Sequence, residues 1–451
     1  MDFLKQQKKT NAIKMNSDGK KIHISTLGCS KNIYDSELLM GQLKASNAQF
    51  ASSAEEADVI IINTCGFIAP AKQESIDAIL EAEKLKKSDP RKNIIVCGCL
   101  SQRYASDLKK EIPGIDAIFG TEDFQNILKY LNVRREISPE YLYEKRYLTT
   151  PSHYAYLKIS EGCNHRCSFC AIPLMRGKHR SRPMEHIVAE AKQLVQRGVR
   201  ELILISQDTT YYGLDLYDSQ KLVELLGELE KIDELVWIRL HYLYPTTVQD
   251  ELLNVIADSS KIVPYLDMPI QHITDRMLKI MKRGGSSKRI IDIFNKARSI
   301  LPDVTLRSTL ICGHPEEREE DHQALKDFVR TIEFDRLGVF TYSHEENTSA
   351  YQMPDLSQNL KEKRAKEIME IQQKISMEKN QGKISKILYV LIDEVDIQNS
   401  VAIGRTTADS PGVDNEIIIN SNLSNIKPGN FVNIRITDAT EYDLYGKIEE
   451  N

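Results

Sequence analysis

The sequence predicts an α/β protein in three parts: an N-terminal parallel α/β sheet, a central partial (β/α)6 barrel and a small C-terminal antiparallel β-barrel. Short aliphatic runs alternate with helical patterns from Lys21 to about Leu131, and a second, longer alternation begins at Tyr154. From about Ser376 the chain changes to short strands separated by Gly, Pro, Asn and Asp. Strand–helix alternation builds parallel sheets, and closely spaced short strands build barrels.

Residues 1–20 are rich in Lys, Gln, Asn and Ser and lack the apolar core of a secretory signal, so they are expected to form a disordered extension. The first domain, 21–140, has strand candidates at Ile22–Ser25, Asp58–Asn63, Asn93–Cys97 and Ile115–Phe119. Between the second and third, Ile76, Ile79 and Leu80 recur at helical spacing ahead of a lysine run. The second domain, 150–375, has strand candidates at Tyr154–Ile159, Glu201–Ser206, Val236–His241, Val263–Met268, Val304–Cys312 and Gly338–Tyr342, separated by helical patterns such as Met184–Arg197. Six β/α units fall short of the eight that close a barrel, which predicts a partial, open one. A charged helix over about Leu360–Lys379 leads to the third domain, 376–449, whose strand candidates are Ile387–Ile392, Val401–Arg405, Glu416–Asn420, Phe431–Thr437 and Tyr442–Lys447. Their spacing suits a barrel of oligonucleotide-fold type.

Hydrophobic content of 41% and charged content of 28% fit a soluble globular chain. The longest strongly aliphatic stretch, Val59–Ile62, is of strand length and far below the roughly 18 apolar residues of a membrane span, so no membrane role is expected. A net charge of −5 argues against a phosphate-coated partner. With no export signal, the eight cysteines are expected in the reducing cytoplasm, where they serve metals, catalysis or packing.

Cys163, Cys167 and Cys170 form C-x3-C-x2-C directly after the first strand of the second series. Three thiolates in one loop can hold three irons of a cubane and leave the fourth open. A zinc site completed by His165 is the competing reading, but that histidine lies between the cysteines with little room to close a tetrahedron. Cys29, Cys65 and Cys99 each follow a predicted parallel strand of the first domain, which would put three thiols beyond the carboxyl ends on one sheet edge. Separate burial in the core is the alternative for these three, and it is the preferred reading for Cys97 and Cys312, which lie inside aliphatic strands. From spacing alone, Cys97 could replace Cys99.

The C-x3-C-x2-C loop matches the signature of the radical S-adenosylmethionine superfamily. The two three-cysteine sets followed by a small barrel resemble its methylthiotransferase family, in which that barrel is called a TRAM domain. Asn63–Ile68, Ala71–Asp77, Ser206–Thr209, Tyr265–His272, Phe340–Glu346 and Gly404–Asp414 resemble the branch that modifies a ribosomal protein. The resemblance covers nearly all of the chain after residue 21. One stretch departs from it: Gly313-His314-Pro315-Glu316-Glu317-Arg318 stands where the family usually has Gly-Phe-Pro-Gly-Glu-Thr.

The resemblance implies two 4Fe-4S clusters, held by Cys29, Cys65 and Cys99 and by Cys163, Cys167 and Cys170, together with S-adenosylmethionine. One S-adenosylmethionine would methylate a sulfur held at the N-terminal cluster. A second, bound to the open iron of the Cys163, Cys167, Cys170 cluster, would be cleaved to a 5'-deoxyadenosyl radical, both open irons facing one cavity. The substrate implied is the β-carbon of an aspartate in the twelfth small-subunit ribosomal protein, free or in the ribosome. The electron donor implied is of low potential, such as flavodoxin or ferredoxin. Phe169, Ser206, Gln207, Asp208, Arg239, Asp267, Gln271 and Arg307, at or near strand ends, are the candidates for cofactor contacts, each weighed against a structural hydrogen bond. His241 and His272 read as interior histidines.

Residues 376–451 hold 7 Lys and Arg against 12 Asp and Glu, a charge suited to a basic ribosomal protein and poorly suited to a phosphate backbone, with a merely solvated acidic surface as the alternative. Transfer RNA, the substrate of the sister branch, is therefore the second choice. A non-catalytic iron–sulfur carrier or scaffold is the alternative from another class.

Overall fold

The computed structural model describes residues 19–133, 143, 145–421, 423 and 425–449. The expected N-terminal extension lies, up to residue 18, outside the described residues. Contacts divide the chain into two units, one of 1–149 with Leu174–Arg176 and one of 150–173 with 177–451.

The first unit holds a parallel sheet of β1 (Lys21–Thr26), β2 (Gln49–Phe50), β3 (Val59–Thr64), β4 (Asn93–Gly98) and β5 (Ala117–Ile118), in the order β2-β1-β3-β4-β5. Four of these five strands stand where the hydrophobic runs predict them, and β2, at two residues, is too short to leave such a pattern. Val59, Ile60, Ile61 and Ile62 are all buried because helices cover both faces of β3, and a strand enclosed on both sides is continuously apolar. Asn63 pairs with Thr26 and Thr64 with Gly98, so β1, β3 and β4 end at one level. The order 2-1-3-4-5 reverses direction between β1 and β3, and doubly wound sheets bind their ligands outside the carboxyl ends at that switch.

The second unit holds six parallel strands, β6 (Tyr154–Lys158), β9 (Glu201–Ile205), β10 (Trp237–Leu240), β11 (Ile262–Asp267), β12 (Thr305–Cys312) and β13 (Arg336–Thr341), in the order β13-β12-β11-β10-β9-β6. A two-residue hairpin of β7 (Ser160–Glu161) and β8 (Arg180–Ser181) follows β6. All six strands fall where the hydrophobic runs placed them, and helix Met184–Gln196 lies between β8 and β9.

Helix Gln358–Gln381 leads to a closed barrel, within the same unit, of β14 (Ile387–Asp396), β15 (Val401–Arg405), β16 (Ile417–Asn420), β17 (Phe431–Ala439) and β18 (Leu444–Ile448). Its pairings are antiparallel except for β16 with β18. Val390, Ile392, Ile417, Ile419, Ile434 and Ile436 fill the interior.

The loop after β15, from Thr406 to Asp414, is bound to side chains of the six-stranded sheet. Glu201 is fully buried and carries both Arg239, at 2.8 Å, and Arg405. Arg239 also donates to the Thr407 carbonyl at 2.8 Å. Arg336 pairs with Asp409, and Arg307 reaches Asp414 at 3.2 Å and Asp267 at 2.8 Å. His241 lies 2.8 Å from Ser410 Oγ, and the Tyr265 hydroxyl donates to Asp414 at 2.6 Å. The sole tryptophan, Trp237, meets Phe431 edge-on at 4.9 Å.

Removing one partner of a buried pair strands the other charge, so Arg405→Met is expected to cost about 3–5 kcal/mol. Urea unfolding followed by Trp237 fluorescence measures this; a loss below about 1 kcal/mol would show that Glu201 does not need Arg405.

Candidate functional site

In the first unit, Cys29 follows β1, Cys65 follows β3, and Cys99 opens helix Cys99–Glu111 after β4. The three turns are pressed together. Gly28 holds φ +89°, and a Cβ there would stand 2.9 Å from Cys65 Sγ. A Cβ on Gly66 would stand 2.8 Å from the Leu100 backbone. Gly98, at φ +98°, passes so close to Thr64 that a Cβ would lie 2.6 Å from its carbonyl oxygen. Each of these approaches requires glycine.

Asn32 ties the turns to one another, donating from Nδ2 to Leu27 O at 2.7 Å and to Thr64 O at 3.1 Å. Its Oδ1 accepts from Arg176 Nη2 at 2.6 Å and lies 3.9 Å from Cys99 Sγ, while Arg176 Nη1 pairs with Asp35 at 2.6 Å. Burial pushes the Cys65 thiol up and the Cys99 thiol to about 11, despite the Arg176 guanidinium nearby, while Cys29 stays exposed. Cys97 points elsewhere: it packs among Ile22, Leu39, Val59 and Ile61, and burial pushes its thiol up to about 12. Of the two closely spaced cysteines, Cys99 therefore joins the edge and Cys97 the core. Cys312 is likewise fully buried within β12.

In the second unit, Cys163, Cys167 and Cys170 occupy the loop after β7. Gly162 enters it at φ +83°, and a Cβ there would lie 2.1 Å from the Lys178 carbonyl. Cys163 N donates to Gly177 O at 3.1 Å and Ser168 N to Met281 O at 2.9 Å, while Ser168 O accepts from Ala350 N at 2.8 Å. His314, from the stretch that departs from the family pattern, is fully buried with Nε2 3.2 Å from Ser168 Oγ. The departure thus places a side chain against the cysteine loop. Beside it, burial pushes the Glu317 carboxyl up to about 7, against the pull of Arg364.

His165 does not join the thiols. Its Nε2 lies 2.6 Å from Asp208 Oδ2, and its ring stacks on Tyr244 at 3.8 Å. Arg283 also lies over the Tyr244 ring, 4.3 Å from its centroid, and its Nη1 reaches Cys167 Sγ at 3.6 Å. Among the described residues, no three His, Cys, Asp or Glu side chains converge as a single ion requires. A cubane takes one thiolate on each of three irons, so its ligands stand farther apart. Two sets of three cysteines, with His165 turned to Asp208, present that all-thiol donor set.

The remaining candidates fall into two groups. Ser206 is buried with Oγ 3.1 Å from Thr209 Oγ1, and Asp208 is held by His165 and Thr210. Gln207 donates to Glu161 at 2.7 Å, while its Oε1 is buried without a protein partner. Gln271 holds φ +73°, and Phe169 is half-buried. Gln207 leaves a buried polar atom and Gln271 a strained backbone at the strand ends, as a bound ligand would use, whereas Ser206 and Asp208 are satisfied within the protein. Arg239, Asp267 and Arg307 are instead matched by Glu201, by one another and by the 406–414 loop, and Arg307 holds the Asp267 carboxyl low against the effect of burial. His241 and His272 are interior, and burial pushes His272 down to about 3, so it stays neutral. Arg283, Tyr244 and Arg176 were not singled out from sequence, and His314 only as part of the stretch that departs from the family pattern. The only local signal for any of them was the unusual spelling around His314.

Family models match residues 21–120 (Uncharacterized protein family UPF0004), 157–329 (Radical SAM superfamily) and 384–448 (TRAM domain). Full-length relatives include the "Ribosomal protein uS12 methylthiotransferase RimO" of Christiangramia forsetii, 47% identical over 97% of this chain and 96% of that protein. Those of Clostridioides difficile and Aquifex aeolicus are 48% and 47% identical over 95% of this chain and 98% of theirs. Among solved structures, the radical S-adenosylmethionine methyltransferase TsrM from Kitasatospora setae aligns at a TM-score of 0.53 and 11% identity over 71% of this chain and 73% of that one, a likeness of fold. Among the described residues no helix is long and apolar enough to cross a membrane.

Burial holds the Cys99 and Cys163 thiols up at about 11 and Cys170 at about 12, so at neutral pH the bare thiols are protonated and each ligation releases a proton. Iron retained against a fixed chelator is expected to climb from about pH 6 to about pH 9 without levelling near the ordinary thiol value of about 8.5. A plateau there would contradict the assignment. Gly28→Ala forces a left-handed alanine against Cys65, costing about 1–2 kcal/mol in backbone strain alone. Iron analysis of that variant, with Cys163, Cys167 and Cys170 also replaced by alanine, should show most of the remaining iron lost.

Proposed function

This chain belongs to the RimO family of radical S-adenosylmethionine methylthiotransferases, and we propose that it attaches a methylthio group to the β-carbon of an aspartate in ribosomal protein uS12. The observation that carries the reading is the pair of three-cysteine sets, each at the carboxyl ends of its own parallel strands. Each set would hold one 4Fe-4S cluster with an open iron, giving two clusters. The relatives' names supply the ribosomal substrate.

When bound, the clusters and S-adenosylmethionine supply one-electron cleavage of a sulfonium and a methylated sulfur. The chain's own residues do the rest. Cys163, Cys167 and Cys170 anchor the radical-generating side, with Ser168 fixed by Met281, Ala350 and His314 so that the loop keeps its shape. Gln207 offers a buried acceptor and Gln271 a strained turn at the strand ends, both suited to hold the amino acid and nucleoside parts of S-adenosylmethionine. Phe169, Ser206 and Asp208 complete that side, and Arg239, Asp267 and Arg307 shape the interior behind it. Cys29, Cys65 and Cys99 hold the sulfur-carrying side, with Asn32 fixing the turns. The reaction takes place in the cytoplasm, with a low-potential flavodoxin or ferredoxin as electron source.

Anaerobic incubation of the reconstituted protein with uS12, S-adenosylmethionine, sulfide and dithionite should give uS12 one methylthio group heavier, located to an aspartate by fragmentation. Cys163→Ala should abolish both that product and 5'-deoxyadenosine. A methylthio gain confined to tRNA nucleosides would overturn the substrate, and absence of 5'-deoxyadenosine would overturn the chemistry.

A further inference from the structure

Arg283 differs from the other enclosed arginines of this protein. Among the described residues seven arginines are buried, and each pairs with a carboxylate. Arg283 is half-buried, yet among the described residues it has no carboxylate within ion-pair distance. Its contacts fix it on three sides: the Tyr244 ring lies 4.3 Å beneath the guanidinium, Nη2 donates to the Pro269 carbonyl, and Nη1 points at Cys167 Sγ at 3.6 Å. Tyr244 is itself held, by the His165 ring at 3.8 Å and by its hydroxyl accepting from Gly284 N at 3.0 Å. A cation held this firmly and left unmatched faces a sulfur atom.

We propose that Arg283 is a positioning residue that supplies the resident countercharge to the Cys167 sulfur, so that the protein offsets the negative charge gained when the cluster held by Cys163, Cys167 and Cys170 is reduced. The step is a single electron passing from a low-potential donor to the cluster, with no bond made or broken. Hydrogen bonds and positive charge at a cluster's sulfurs favour the reduced form, because they stabilise the state with more negative charge. Arginine suits the task better than lysine: its flat guanidinium can lie on Tyr244 and donate in its own plane to both the carbonyl and the sulfur. The inference rests on the reading that these three cysteines hold a cluster.

The test uses the full chain with Cys29, Cys65 and Cys99 changed to alanine, so that one cluster reports, alone and with Arg283→Met or Arg283→Lys. Each protein is loaded anaerobically with iron and sulfide, and iron content, circular dichroism and the paramagnetic resonance signal at poised potentials are measured. Arg283→Met should keep its iron and be harder to reduce, the ratio of reduced to oxidised cluster falling roughly tenfold at the parent's midpoint potential, with Arg283→Lys in between. Loss of iron from the Met variant but not from the Lys variant also supports the charge role. An unchanged midpoint at equal iron overturns the proposal, as does equal loss of iron from both variants at unchanged circular dichroism. If the parent itself takes up no iron, it is the underlying assignment of the cysteines that fails.

Discussion

Parallel pairing puts the carboxyl end of every strand in a sheet on one edge, and that constraint governs where this protein can gather reactive groups. Cys29, Cys65 and Cys99 are far apart in sequence, yet β1, β3 and β4 are neighbours in register, so three turns meet. Glycines at 28, 66 and 98 then remove the side chains that would keep those turns apart. The second unit uses the same rule differently, setting three cysteines in one loop and surrounding it with groups from other strand ends. Tyr244 follows β10, Gln207 follows β9 and Gln271 follows β11. Thiols raised by burial keep their protons, so this geometry holds Cys163 and Cys170 in an unreactive form.

Charge in the second unit is organised from inside. Glu201 with Arg239 and Arg405, Asp409 with Arg336, and Asp414 with Arg307 form a chain of pairs between the six-stranded sheet and the closed barrel. A carboxylate taken out of water is tolerated when guanidinium groups and hydrogen bonds replace its hydration, and each of these has them. The sum of charges over residues 376–451 therefore misstates what that barrel shows to a partner. Asp409 and Asp414 are spent internally, and the acidity that remains outside comes from residues such as Glu394, Asp396, Glu416 and Asp438.

Much of the fold was legible because hydrophobic periodicity is local. β3 reads as Val59-Ile60-Ile61-Ile62, and the five barrel strands are separated by turn-forming residues. The six cysteines were legible because each sits directly after a strand or in one tight motif. What escaped sequence reading was long-range. Nothing near Arg283 announces Cys167, 116 residues away, and nothing around Ser168 announces His314. The choice between Cys97 and Cys99 also needed the structure, since it depends on β4 ending at Gly98 with the thiol of Cys97 already turned into the core. Arg239 and Arg307 drew attention as polar residues on barrel strands, but a loop beginning at Thr406 satisfies them.

That loop ties the interior of the sheet to a stretch of polypeptide that lies beyond all six of its strands. A chain cut before Thr406 would keep both sets of three cysteines and every strand of the six-stranded sheet, yet Arg336 would face the interior without Asp409 and Arg307 would keep only Asp267. Unmatched cations of that kind oppose compaction. A truncated product would therefore be less stable than the full chain, so the barrel acts as a clasp on the sheet that carries the cysteine loop.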